Sequence, residues 1–121
     1  MTRSLTFSPG ELPAKYNSGA AYGKSGVVIA QGPVRVWGVS GYNSAAVPVW
    51  VMLFDAVAVP ANGSAPDVLI YVPAQSGFAW GTDAKTLGSG FAKGLCWAES
   101  STAPALTLSA SADIYLRADY D

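Results

Sequence analysis

The chain has no histidine at all, and that absence removes more chemistry than any other feature of its 121 residues. Histidine is the commonest general base at neutral pH and the commonest metal ligand. A Ser/His/Asp triad, a Cys/His dyad and a His-based zinc site are therefore excluded. Cysteine is nearly as scarce. The single Cys96 can form no intrachain disulfide, and in the apolar run LCWA a free thiol reads as a small buried hydrophobe. Charge is thin too, at 12% of residues against about 25% in an ordinary globular domain. The seven basic residues form no run and the formal net charge is −1, so no basic patch is present to grip nucleic acid. No GxxxxGK[ST] or strand-following GxGxxG loop occurs. No cofactor is expected, and the reading is non-enzymatic.

Long apolar runs are also missing. The start, MTRSLTFSPGELPAK, carries no apolar signal-like core. Residues 47–59 are broken by Pro48 and Asp55 and are too short to span a bilayer. These features predict no membrane partner and assembly in a cytoplasm. No stretch of ten residues holds a 3.6-residue apolar period with caps, which predicts almost no helix.

What remains is 50% hydrophobic, with 13 Gly and 8 Pro, and it is written in strands. Residues 1–25 are polar and punctuated by Gly and Pro. They read as an extended N-terminal arm, with Leu5, Phe7, Leu12 and Tyr16 as spaced docking residues. Residues 26–121 carry short apolar stretches at spacings of about 8–12 residues, divided by turn clusters. The pattern predicts strands over 27–30, 34–42, 47–55, 68–72, 77–80, 91–99, 105–108 and 113–120. Such a series makes an all-β, antiparallel sandwich.

Two strands carry most of the information. In 113–120 (DIYLRADY), Ile114, Leu116, Ala118 and Tyr120 alternate with Asp113, Tyr115, Arg117 and Asp119, giving one dry and one wet face. In 47–55 (VPVWVMLFD) both faces are apolar: Val47, Val49, Val51 and Leu53 on one, Pro48, Trp50, Met52 and Phe54 on the other. A strand without a wet face lies between layers or against a neighbour. Trp50, Met52 and Phe54 are thus the expected core or oligomer seam. Gly38 and Gly41, inside 34–42, suggest a bulge or a close backbone approach.

The carboxylates are scattered. Asp55 and Glu99 end apolar strands and are the pair closest to a glycosidase-like couple; the plainer reading is that both mark strand ends returning to water. Of the four tryptophans, Trp50 and Trp97 read as core or seam. Trp37 and Trp80 are the candidates for exposed aromatics on which a sugar would stack. Asn62-Gly63-Ser64 matches a glycosylation pattern but reads as a turn.

The stretch GYNSAAVPVWVMLFDAVAVPANGSAPDVLIYVPAQSGFAW, followed by FAKGLCWAESSTAPALTLSASADIYLRADY, resembles small virion surface proteins of tailed bacteriophages. The shared elements are a Gly-Tyr-Asn strand end, the LFDA strand end, the Val-Pro-Ala-Asn-Gly loop with Pro66 beyond it, the break at Val72-Pro73-Ala74, and a Phe-Ala-x-Gly-Leu strand running into Glu99-Ser100-Ser101-Thr102. The likeness covers about residues 26–121. It implies a β-sandwich, jelly-roll-like, in a capsid decoration or cement protein. Such a protein would be a homo-oligomer, commonly a trimer, on the outer surface of the phage head. Its partner would be the major capsid protein, whose neighbouring subunits it would bridge. The alternative is a glycan- or receptor-binding module of a head or tail fibre.

Overall fold

The computed structural model describes residues 14–17, 26–81, 89–109 and 111–121. Nine strands form two antiparallel sheets: β1 (Ala14–Asn17), β2 (Val27–Gln31), β3 (Val34–Asn43), β4 (Val49–Phe54), β5 (Val68–Val72), β6 (Ser76–Gly81), β7 (Ser89–Phe91), β8 (Gly94–Ser100) and β9 (Ile114–Tyr120). One sheet runs β1-β9-β3-β6, with β7 pairing the first residues of β3; the other runs β2-β8-β4-β5. Among the described residues there is no helix. The all-β, antiparallel, two-sheet expectation therefore holds.

The core lies where the two inner faces meet. Val36, Val39, Ile114, Leu116 and Ala118 from the first sheet pack with Val49, Val51, Leu53, Ile70, Val72, Leu95 and Trp97 from the second. The alternation read in β9 is the one observed, with Ile114, Leu116 and Ala118 buried and Tyr115 and Arg117 exposed. The bulge expected from the glycines of β3 is present as a register shift between Val36 and Gly38 against β9. It turns Val36 and Val39 to the same core, where strict alternation would place them on opposite faces. Gly41 supplies the close approach: a β-carbon there would collide with the carbonyl oxygen of Tyr115.

Several expectations are corrected. The predicted strand 91–99 is two strands in different sheets, since β7 pairs β3 and β8 pairs β2 and β4. At the crossing, the Asp55 carboxylate accepts the Lys93 N–H (2.7 Å) and Gly94 N–H (3.3 Å). Gly94 itself has no room for a β-carbon between the carbonyls of Ala30 and Ala56. The stretch 105–108 is not a strand, and only Leu108 bridges Ser100. Of the arm assigned to residues 1–25, Ala14–Asn17 pairs with Arg117–Tyr120 as an edge strand, and Tyr16 packs against the core. Leu5, Phe7 and Leu12 lie outside the described residues.

One buried amide ties down an end of the sandwich. Asn43 donates to the carbonyls of Val47 and Pro73 (3.1 Å each), and its oxygen accepts the Ala45 N–H at 2.9 Å. It thereby serves both the β3–β4 and the β5–β6 crossings between sheets.

Candidate interaction surface

The doubled apolarity of β4 is resolved by the chain's own loops. Its inner face joins the core; its outer face carries Met52 and Phe54, both buried, which pack with Cys96, Ala98 and Leu106. Two connections, residues 55–67 and 101–109, fold over this face, bringing Ala56, Val59, Leu106 and Leu108 onto it. They hold each other through backbone bonds from Gly63 N–H to the Leu106 carbonyl and from Leu106 N–H to the Ser64 carbonyl, 2.8 Å each. Asn62 adds a third tie by accepting the Leu108 N–H at 2.8 Å. The Asn-Gly-Ser site is thus a turn whose asparagine oxygen pins the covering loop, and Gly63 has the positive φ (95°) that such a turn needs.

Met52 and Phe54 of the expected seam are therefore core residues, sealed without a second subunit. Trp50 differs. It is half-buried and stands beyond the covering loop, edge-on to Tyr71 across the β4–β5 pair, with ring centroids 5.6 Å apart. Tyr71 is 56% exposed and Leu69, on the same face of β5, is 44% exposed. Trp50, Leu69 and Tyr71 thus form an uncovered apolar corner on the outermost strand of this sheet. Val68–Val72 contains no charge, proline or glycine, so nothing in β5 protects the edge against a pairing partner.

The opposite sheet presents a second aromatic surface. Tyr42 of β3 and Tyr115 of β9 stand directly opposite each other, both on the solvent side and both a little under half exposed. Gly77 flanks Tyr42 on β6 and leaves the tyrosine ring uncovered on that side. Of the two tryptophans expected to be exposed, both are half-buried. Trp80 packs against the core, because the β3–β6 register pairs it with the inward Val39. Trp37 lies under the Arg35 guanidinium, 5.6 Å from ring centroid to charge. Three tyrosines, not the tryptophans, carry the exposed aromatic surface. Their signal was the wet face of β9 for Tyr115. For Tyr42 and Tyr71 it was weaker, being their position outside the inward parity of β3 and β5.

The charged groups are mostly neutralised where they stand. A cleft of about 500 Å³ opens beside Val34, Arg35, Asp55, Phe91 and Asp121. In it Arg35 pairs with Asp121 at 3.1 Å. Asp55 is held below the usual carboxylate range, chiefly by the Lys93 backbone N–H, against the opposing effect of burial. Asp55 and Glu99 do not form a catalytic couple. Asp55 caps the β7–β8 crossing, while Glu99 is wholly buried and faces Asp113. Glu99 does not return to water as its strand-end position suggested. Cys96 is buried as expected; its thiol donates to the Ala56 carbonyl at 3.2 Å and burial pushes its pKa up, which leaves it unreactive. No family model matches the chain, and neither a curated protein nor a solved structure does.

Proposed function

We propose that this chain is a non-enzymatic structural subunit of a bacteriophage virion surface, of the decoration or cement type. In this reading it oligomerises, as a trimer, on the outside of the head and bridges neighbouring copies of the major capsid protein, after synthesis in the host cytoplasm. The observation that carries the reading is the apolar corner of Trp50, Leu69 and Tyr71 on an unprotected edge strand. In a chain with so little charge, such a surface favours a partner. The strand order supports it as well. β1-β9-β3-β6 facing β2-β8-β4-β5 is the order of a jelly roll, an architecture frequent in viral capsid and lectin domains. A protein that binds only the assembled shell stabilises that shell by mass action.

The test combines sedimentation of the purified chain with its binding to expanded phage heads. Self-association and heat protection of the heads are expected, and both should weaken in a Leu69→Ser, Tyr71→Ser variant. A wild-type chain that stays monomeric at high concentration and leaves the heads unprotected would end this reading.

The facing tyrosines favour a second reading, a glycan-binding module of a head or tail fibre, since exposed rings on a sheet are stacking platforms for sugars. Host polysaccharide titrated against intrinsic fluorescence separates the two. A saturable change lost in Tyr42→Ala and Tyr115→Ala would favour the glycan reading.

A further inference from the structure

Glu99 is the residue least explained by packing. It projects from β8 on the inner side of the sheet, beside Leu95 and Trp97, with no exposure to solvent. One carboxylate oxygen, Oε1, accepts the Asp113 N–H at 3.1 Å. The other, Oε2, is buried with no hydrogen-bond partner. The side chain of Asp113 lies against it, and Asp113 is the charge that acts on it. Two hydroxyls complete the surroundings: Ser111 Oγ donates to Asp113 Oδ2 at 2.7 Å, and Ser109 Oγ lies 3.4 Å from Ser111 Oγ. Ser109 is anchored in place by its N–H to the Glu99 carbonyl, 3.1 Å.

Two carboxyl groups facing each other away from water need a positive charge between them. We propose that Glu99 and Asp113, with the hydroxyls of Ser109 and Ser111, form a binding site for a divalent cation of the calcium class. Every donor is an oxygen, which selects a hard cation. The chain has no histidine, and Cys96 sits on the other face of β8, among the covering loops. Among the described residues no three acidic or cysteine side chains converge. Water and carbonyl oxygens must therefore fill the coordination shell, which calcium tolerates and magnesium, with its strict octahedron, does not. Asp113 and Ser111 reach solvent and give the ion its path in. Such a sparse ligand set predicts weak binding, of the order of 10⁻⁴–10⁻³ M.

The experiment is thermal melting of the full chain at pH 8 in about 5 mM calcium chloride or in EGTA, for wild type, Glu99→Gln and Asp113→Asn. Asp113→Asn keeps the backbone N–H that Glu99 accepts, so it serves if Glu99→Gln folds poorly. At roughly ten times the dissociation constant the wild type is expected to melt about 5 °C higher with calcium, and the shift should vanish in either variant. No shift in the wild type overturns the proposal and leaves the pair holding a proton or a water only. A shift that survives both substitutions also overturns it, by putting the ion elsewhere.

Discussion

Leu106 is the side chain on which the cover over the outer face of β4 depends, and its truncation gives the most direct test of the packing described above. It is buried against Met52, Phe54, Cys96 and Ala98. The loop around it is polar: the Ser100 hydroxyl donates to the Thr102 carbonyl (2.7 Å) and accepts the Thr107 N–H (2.9 Å), so the backbone stays tethered without leucine. Leu106→Ala should therefore leave a cavity under an intact loop. Lost transfer energy and the cavity together cost about 3 kcal/mol. With an unfolding entropy of about 2.1 cal/mol/K per residue, 121 residues give roughly 0.25 kcal/mol/K. The midpoint should accordingly fall by about 12 °C in calorimetry. A dye that fluoresces on apolar surface should bind more strongly as Met52 and Phe54 become accessible. Leu69→Ala, on the exposed corner, is the control and should change stability by about 0.5 kcal/mol or less in the monomer. If Leu106→Ala melts within about 2 °C of wild type with unchanged dye binding, the covering role of this loop is refuted.

Three further outcomes follow from the same geometry. Burial, reinforced by the Asp113 side chain, raises the pKa of Glu99 from 4.5 to about 7. Between those values the folded chain keeps a proton that the unfolded chain has released, so stability falls as pH rises. The loss is at most on the order of 3 kcal/mol, less where water screens the pair. Urea unfolding in EGTA at pH 5 to 8 should show it in wild type and not in Glu99→Gln; equal slopes would contradict it. Gly41→Ala must push against the Tyr115 carbonyl and the Phe78 ring, costing about 3 kcal/mol, whereas Gly63→Ala meets open space and carries only its conformational penalty of about 1 kcal/mol. Denaturant midpoints of the two variants that coincide would be inconsistent with this ordering. Asp55→Ala should remove hydrogen-exchange protection from the amides of Lys93 and Gly94, a change read site by site by NMR.

The parts of the fold that were legible in the sequence are those governed by neighbours along the chain. The alternation of β9, the two apolar faces of β4, the buried thiol and the strained β3 glycines follow from period-two patterning and steric need. What was not legible depends on contacts across the chain. The split between β7 and β8 is imposed by a carboxylate 38 residues away from Lys93. Glu99 continues the inward parity of Leu95 and Trp97, but a carboxylate at a strand end reads locally as a return to water. Residues 101–109 look like a turn and a short strand because their covering role exists only once residues 61–64 lie beneath them. The same blindness made β4 suggest a neighbour at Met52 and Phe54, where a loop of the same chain sits.

The Asn43 amide gives the sandwich a mechanical property. By holding the Val47 and Pro73 carbonyls with one side chain, it makes the two crossovers at that end a single hinge. A force or a bound neighbour that pulls on one corner is transmitted to the other through a single buried group. That end of the molecule should loosen as a unit, with no half-open state in which one corner is released and the other held.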